Sequence, residues 1–376
     1  MEHPDEQMAE RAARWAGTMR GHAADGVALA HADSWGSPGS SATLDRRARE
    51  EAEHTHLAPL ASKASGAGER ELDEQPDPFR TCFERDRDRI LHANAFRRLA
   101  GKTQVFVFPD DHQRTRLTHA LEVAQVARSV SQAIGLNVAL TEAIALGHDC
   151  GHGPGGHTSE DALTPYLAEG YDHAVWGADV VLVPLNLCTE TLDGVRNHSW
   201  SRPAPATPEG EVVSWADRIA YVCHDFEDAV AAGIVTAEML PPVVTSRVGT
   251  DRSRQLGTFV RAMIEATAAT GRIGMVEPAA EALAEFRRFN YEHIYMRPAS
   301  RLQGDAVVAL LRALVEHYAD RPNLLPDAHG GLDAGSAGAL RAAVTYVGGM
   351  TDRFACRQAM ALLDWPRERL PAGIDI

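Results

Sequence analysis

The chain of 376 residues can bury one large core or two modest ones, and its composition of 44% hydrophobic and 6% aromatic residues is ordinary for a helix-rich globular protein. Its formal net charge of −15 excludes a general binder of nucleic-acid backbones, because such affinity comes from lysine and arginine. The five cysteines are far apart and never in a CxxC spacing, which argues against a disulfide framework or a cysteine zinc site. The sequence shows neither a signal-peptide pattern nor an apolar run of about 20 residues, so we expect a cytoplasmic protein without a membrane segment.

The residue pattern of the sequence changes near residue 79. Residues 1–78 alternate charge clusters with small residues, which predicts a flexible, partly disordered acidic arm. Residues 79–376 carry apolar side chains at helical spacing, with no run of alternating β-branched residues that would indicate a sheet. We therefore predict an all-α domain over residues 79–376.

Two successive helices of this domain present histidines on their buried faces. In "RTRLTHALEVAQVARS" His119 shares a face with Val123, Val126 and Val130. In "LTEAIALGHDCG" His148 ends the apolar face, and Asp149 follows it directly. Both imidazoles are thus predicted to point towards the interior.

A glycine-rich segment, "GHGPGGH", follows the His-Asp pair. Its glycines and Pro154 cannot continue a helix, and Thr158 or Ser159 can cap the next one. Such a loop beside the core is typical of a binding site.

A further helix is predicted over "EVVSWADRIAYVCHDFEDAV". Asp217 borders its apolar stripe, whereas Tyr221, His224, Asp225 and Asp228 are predicted on its polar flank.

Four of these residues are suited to a metal site, because a buried unpaired carboxylate is costly and neutral imidazoles have few partners in a core. The candidate ligands are His119, His148, Asp149 and Asp217. Two imidazoles and two carboxylates suit one divalent ion per subunit, and the donor set does not choose among Mn, Mg, Fe, Co, Ni and Zn.

The pattern H…HD…D resembles the signature of the HD phosphohydrolase superfamily. Six segments over residues 79 to about 365 are similar, in order, to one branch of it, the deoxynucleoside triphosphate triphosphohydrolases (dGTPase-like proteins): "FERDRDRILHANAFRRLAGKTQVF", "RTRLTHALEVAQVARS", "EAIALGHDCGHGPGGHTSE", "ADRIAYVCHDFEDAV", "FRRFNYEHIYMRP" and "GGMTDRFA". The resemblance implies an HD-type helical fold with additional C-terminal helices.

The resemblance also implies hydrolysis of a dNTP to a deoxynucleoside and tripolyphosphate, with the four candidate ligands holding the metal. It assigns the catalytic pair to His157 and Glu160 of "GGHTSE". It places the triphosphate near Arg116, Arg218 and Tyr221, the sugar near Gln104 and Asp225, and the α-phosphate near His152 and His173. It implies a homo-oligomer, with dNTP as substrate and as a conceivable activator.

This chain departs from many relatives at two places. Where they have Pro-Pro-Phe-Gly-His, it has Gly153 to His157, which loses an aromatic ring and loosens the loop. The usual Glu-His-Asn is here Asp172, His173 and Ala174.

Three other hypotheses remain open from the sequence. The first is an HD-type phosphomonoesterase or phosphodiesterase, and the second is a dNTP-sensing regulator, against which the retained His157 and Glu160 argue. The third is a di-iron oxygenase, in which His152 and His173 would bind a second metal.

Overall fold

The computed structural model describes residues 4–18, 21–37, 39, 43–66, 68–107, 112–326 and 331–371. The chain divides into two compact units, Met1–Leu44 and Asp45–Ile376. The first contains helix α1 (Pro4–Thr18) and an antiparallel hairpin of β1 (His22–Ala24) and β2 (Val27–Leu29). Asp25 and Gly26 both have positive φ angles, as the tight turn of such a hairpin requires.

The second unit is helical throughout. Its helices, in chain order, are α2 (Arg46–His56), α3 (Cys82–His92), α4 (Asn94–Arg98), α5 (Arg116–Ile134), α6 (Val138–Gly147), α7 (Thr158–Leu163), α8 (His173–Trp176), α9 (Thr189–Arg196), α10 (Pro208–Ala231), α11 (Pro242–Val248), α12 (Arg252–Thr270), α13 (Glu277–Asn290), α14 (Pro298–Asp320), α15 (Ala337–Gly348) and α16 (Asp352–Leu363). Two π-helical segments, Gly177–Val181 and Tyr291–Tyr295, continue α8 and α13. The prediction of an all-α fold is confirmed.

The larger core of this unit lies around α5, α6 and α10. Helix α10 is 24 residues long. It is capped by Thr207, whose side chain accepts a hydrogen bond from the backbone N–H of Gly210. Helix α5 ends at Gly135, whose φ of 75° is the left-handed conformation that closes a helix. These helices bury their apolar faces against one another and against α3, and so bring the start of α5, the end of α6 and the middle of α10 together.

A second apolar cluster joins α7 to the three C-terminal helices α14, α15 and α16. Leu163 of α7 packs in it with Leu311 and Val347. Because α7 directly follows the glycine-rich loop, this packing anchors one end of that loop to the C-terminal helices.

The compact helical unit begins well before the boundary that the sequence predicts at residue 78. Ala61 and Ala64 are buried in the larger core, and the Ser62 hydroxyl donates to the buried Glu209 carboxylate at 2.8 Å. Residues 45–66 and 68–78 pack through small side chains and polar contacts of this kind, which leave no apolar periodicity in the sequence.

No helix among the described residues is both long and apolar enough to cross a lipid bilayer.

Candidate metal centre and active-site cavity

Three helices bring the four predicted metal ligands together. His119 lies in the first turn of α5, the pair His148 and Asp149 follows α6, and Asp217 lies near the middle of α10. His119 Nε2 is 3.0 Å from Asp217 Oδ1, and His148 Nε2 is 3.7 Å from that same oxygen. His148 Nε2 also lies 3.4 Å from Asp149 Oδ1. The donor atoms of His119, His148 and Asp217 are therefore close enough to share one ion, and Asp149 lies beside them.

The tautomer of His148 suits this role. Its Nδ1–H donates to the Ala145 carbonyl at 2.6 Å, which leaves the lone pair on Nε2. Nε2 is buried and has no hydrogen-bond partner among the described residues. A buried imidazole nitrogen without a partner is costly, and a cation between His119, His148 and the two aspartates satisfies it. The donor set therefore fits a divalent ion.

The two aspartates are held ionised by their surroundings. Burial raises the pKa of Asp149, but Arg116 at 2.7 Å and the neighbouring imidazoles outweigh it, so the pKa lies well below its ordinary value. Burial likewise raises the pKa of Asp217, and the hydrogen bond from His119 with the nearby imidazoles lowers it overall. Both side chains are thus carboxylates at neutral pH, the form that binds a cation.

Beside this centre lies a second group, the loop cluster, defined as His152, His157, Glu160 and His173. Glu160 Oε1 is its hub, because it accepts a hydrogen bond of 2.5 Å from His173 Nδ1 and lies 3.6 Å from His157 Nδ1. His152 connects the two groups, since its Nε2 lies 3.2 Å from Asp149 Oδ1. Burial raises the pKa of Glu160, but the histidines lower it more, so this carboxyl is also ionised.

The loop that carries His157 is held from both sides. Gly156 has a φ of 64°, and a Cβ atom there would lie 2.6 Å from Arg116 Nη2, so a side chain is excluded on both grounds. The N–H of Gly155 donates at 2.9 Å to Asp352, at the start of α16. The other carboxylate oxygen of Asp352 accepts from the backbone N–H and the hydroxyl of Thr103, at 2.8 and 2.6 Å. The His157 side chain itself is 73% exposed, at the mouth of the cavity.

A cavity of about 620 Å³ opens in front of both groups. Ten of the sequence-predicted site residues line it: Gln104, Arg116, His119, Asp149, His157, His173, Asp217, Arg218, Tyr221 and Asp225. The other three, His148, His152 and Glu160, lie just behind this wall, in contact with lining residues. The structure thus brings all thirteen into one region, while their individual roles stay predictions.

One placement differs from the sequence analysis. Tyr221, His224, Asp225 and Asp228 were predicted on the polar flank of α10, yet the last three are buried. Helix α10 packs against α5, α6, α9, α12 and α13, so little of its surface reaches water. Burial raises the pKa of Asp225 to about 7, and its Oδ2 accepts a hydrogen bond of 2.5 Å from the Tyr295 hydroxyl.

The cavity residues that the sequence reasoning missed include His198, Trp200, Arg287 and Tyr295. His198 Nε2 is 3.2 Å from His173 Nε2, and its ring packs edge-on to His148. Arg287 donates to the Tyr221 hydroxyl at 2.7 Å. Arg287 and Tyr295 lie in "FRRFNYEHIYMRP", so that segment's resemblance was the available signal, whereas His198 and Trp200 lie in a loop without periodicity.

Two family models match stretches of this chain. A model of the HD domain matches residues 116–222, and a model of the phosphohydrolase-associated domain matches residues 273–361. A deoxyguanosinetriphosphate triphosphohydrolase-like protein of Caldanaerobacter subterraneus subsp. tengcongensis is 39% identical over 317 residues, which cover 82% of this chain and 93% of that protein. The chain belongs to the HD-domain, dGTPase-like family of phosphohydrolases.

A second curated relative and one solved structure are also similar. Another deoxyguanosinetriphosphate triphosphohydrolase-like protein, from Clostridium perfringens, is 38% identical over 301 residues, 76% of this chain and 87% of that protein. The solved structure of a hypothetical protein from Aquifex aeolicus aligns with a TM-score of 0.48 at 19% identity, over 76% of this chain and 69% of that one. The HD-domain match spans all four predicted ligands, from His119 to Asp217. The predicted HD-type fold with further C-terminal helices is confirmed, and the protein is a phosphohydrolase.

Proposed function

We propose that this protein is a metal-dependent dNTP triphosphohydrolase that cleaves at the α-phosphorus and releases a deoxynucleoside and tripolyphosphate. The observation that carries the proposal is one cavity that joins a candidate divalent-cation site to buried guanidinium N–H donors without hydrogen-bond partners among the described residues. The names of its relatives support the same reaction class, since they are triphosphohydrolase-like proteins.

The arginines provide the case for a polyphosphate ligand. Arg116 is 2% exposed, and its Nε and Nη2 have no hydrogen-bond partner among the described residues. Arg218 Nε is buried without a partner as well. Buried guanidinium donors are costly unless an anion accepts their hydrogen bonds, and phosphate oxygens do so with two-pronged geometry. Arg287 and Arg297 line the same wall and add positive charge along the remaining length of a triphosphate.

We infer that the scissile phosphate binds at the metal centre. When bound, a divalent ion supplies Lewis-acid chemistry, because it neutralises phosphate charge and acidifies water. His119, His148, Asp149 and Asp217 would hold it. Arg116, which is paired to Asp149, then faces the same phosphate from the other side and stabilises the charge that develops there.

The leaving 5′-oxygen is very basic and needs a proton. His157 sits at the cavity mouth, with its Nδ1 facing the ionised Glu160. That carboxylate holds the ring in one orientation, from which a protonated His157 can give its proton to the leaving oxygen. His173 fixes Glu160 through the hydrogen bond of 2.5 Å.

The sugar end is proposed to lie by Gln104 and Asp225. Gln104 Oε1 is buried without a hydrogen-bond partner, and Asp225 with Tyr295 forms the adjoining wall. Close walls of this kind exclude a 2′-hydroxyl by contact, which favours a deoxyribose over a ribose.

Product analysis tests the proposal. The full chain is incubated with Mn²⁺ and each dNTP or rNTP in turn, and nucleoside, nucleoside monophosphate, orthophosphate and tripolyphosphate are resolved. Equal amounts of deoxynucleoside and tripolyphosphate are expected from at least one dNTP. Release of orthophosphate or a monophosphate would instead indicate a phosphomonoesterase or phosphodiesterase, and nucleotide binding without products would indicate a sensor.

A further inference from the structure

The loop cluster has the geometry of a second cation site. Its four donor atoms, three imidazole nitrogens and one carboxylate oxygen, lie within 4.8 Å of one another. From Glu160 Oε1 the distances to the Nδ1 atoms of His173, His157 and His152 are 2.5, 3.6 and 4.0 Å. Tetrahedral zinc with bonds of about 2.0–2.1 Å places its ligand atoms about 3.3 Å apart. The observed distances straddle that value, so small side-chain shifts close the site around an ion.

His152 gives an independent reason to expect a ligand there. Its side chain is fully buried, and neither ring nitrogen has a hydrogen-bond partner among the described residues. Nε2 faces the Asp149 carboxylate at 3.2 Å, an acceptor-only group that favours a proton on Nε2. The Nδ1 lone pair is then directed at the loop cluster, where no group of the described part of the chain satisfies it. A cation does so.

The donor set also selects the kind of ion. Three imidazoles and one carboxylate favour a borderline ion such as Zn²⁺ over Mn²⁺ or Mg²⁺, which prefer oxygen ligands. The primary centre, with two imidazoles and two carboxylates, is more permissive. The two sites should therefore differ in metal preference, with the loop cluster binding zinc and not magnesium.

We propose that the loop cluster binds a second divalent ion of the zinc type and that its occupancy inhibits the enzyme. The ion would take the His157 nitrogen and the Glu160 oxygen that the reaction uses to hold and deliver a proton. It would also hold the exposed His157 ring against the buried residues of the loop cluster, so that the ring could not contact the substrate. The inhibitory effect rests on the proposed function, whereas the binding of the ion does not.

The test counts zinc without any nucleotide. Full-length protein is freed of metal with a chelator and dialysed against buffered zinc, and bound zinc is measured by mass spectrometry. We expect a first and a second equivalent per chain in the wild type. His157→Asn and Glu160→Gln should each shift the second equivalent to at least about tenfold higher free zinc, while the first is unchanged. His157 is exposed, so its replacement does not threaten folding, and His92→Asn, at an exposed site on α3, is the matched control that should keep both.

Two outcomes would overturn the site itself: a single equivalent in the wild type at excess zinc, or a second equivalent that both cluster variants retain. The inhibitory effect is measured separately, as the rate of dNTP hydrolysis along the same zinc titration. The rate should fall to half its value at the free zinc concentration at which the second equivalent is half bound. A rate that does not change around that concentration contradicts inhibition. If hydrolysis is absent under Mn²⁺ as well, the proposed function has failed, and the zinc count still decides the site.

Discussion

The guanidinium carbon of Arg218 lies 3.5 Å from the centre of the Trp200 ring. Trp200 is itself fixed, because its indole N–H donates to the Ser214 carbonyl at 3.0 Å and its ring packs edge-on against Trp215. Burial lowers the pKa of Arg218, and its Nε has no hydrogen-bond partner among the described residues. The Trp200 ring therefore positions the Arg218 guanidinium group without neutralising its charge. The N–H donors of Arg218 stay available to an anionic ligand.

Trp200→Leu should weaken substrate binding while leaving turnover nearly intact. A cation–π contact is worth about 0.5–2 kcal/mol, so KM for the nucleotide is expected to rise roughly twofold to thirtyfold. Trp200→Phe retains an aromatic face and should recover most of the loss. Steady-state kinetics on both variants decide the matter. A Leu variant with a wild-type KM, or a Phe variant as impaired as the Leu variant, contradicts a positioning role.

Asp352→Asn should disturb the glycine-rich loop from a distance. Asp352 accepts three hydrogen bonds on its two oxygens, and an amide supplies one acceptor oxygen, so at least one buried N–H of Thr103 or Gly155 loses its partner. The expected loss of stability is about 1–3 kcal/mol, together with slower turnover and unchanged metal content. Thermal denaturation and kinetics measure both effects. The exposed Asp333→Asn is the control, and full activity in Asp352→Asn would show that the loop does not depend on this anchor.

The buried Asp225 predicts a pH dependence of stability. Its pKa rises from 3.8 to about 7 on folding, so between these values the folded state binds more protons than the unfolded state. Its contribution to stability is present in full below about pH 4 and is lost as the pH rises through 7, with a slope of at most about 1.4 kcal/mol per pH unit. In metal-free protein, Asp225→Asn should flatten that part of the profile, whereas the exposed Asp320→Asn should not. Parallel profiles for the wild type and Asp225→Asn, from urea denaturation at several pH values, would refute the assignment.

A contrast between Asp149 and His157 separates metal binding from proton transfer. Asp149→Ala removes a predicted ligand and should lose both the tightly held ion and activity. His157→Ala should keep that ion and bind nucleotide nearly normally, yet turn over at least about 100-fold more slowly, because general acid catalysis contributes 10²–10⁴-fold. Metal analysis after dialysis and single-turnover kinetics provide the readouts. Loss of the ion from His157→Ala would make it a ligand instead.

Helical spacing predicted that the candidate metal ligands lie close together, for a physical reason. His119, His148 and Asp217 each lie on or beside an apolar stripe, and helices that bury such stripes against each other bring those residues together. The spacing could not show that α10 is covered on several sides, so the burial of Asp225 was missed. It also could not place His198 and Trp200, which lie in the irregular segment between α9 and α10, where contacts across the fold decide the position.

The start of the helical unit was missed for a related reason. Residues 45–78 are held by contacts such as the Glu53 carboxylate with the Ala64 N–H, at 2.6 Å, and with the Asn137 amide, at 3.0 Å. Burial raises the pKa of Glu53, as expected of a carboxyl taken into the fold. A polar segment that packs through such bonds has the composition of a solvated arm, and only the tertiary structure distinguishes the two.

The reaction itself is tested most directly by hydrolysing a dNTP in ¹⁸O-labelled water with the Mn²⁺-loaded protein and weighing the products by mass spectrometry. Attack of water on the α-phosphorus puts one labelled oxygen into tripolyphosphate and none into the deoxynucleoside, and this is the predicted result. Label in the deoxynucleoside would mean attack at the 5′-carbon. Labelled orthophosphate or a labelled nucleoside monophosphate would mean cleavage at another bond, and either result would contradict a triphosphohydrolase that acts at the α-phosphorus.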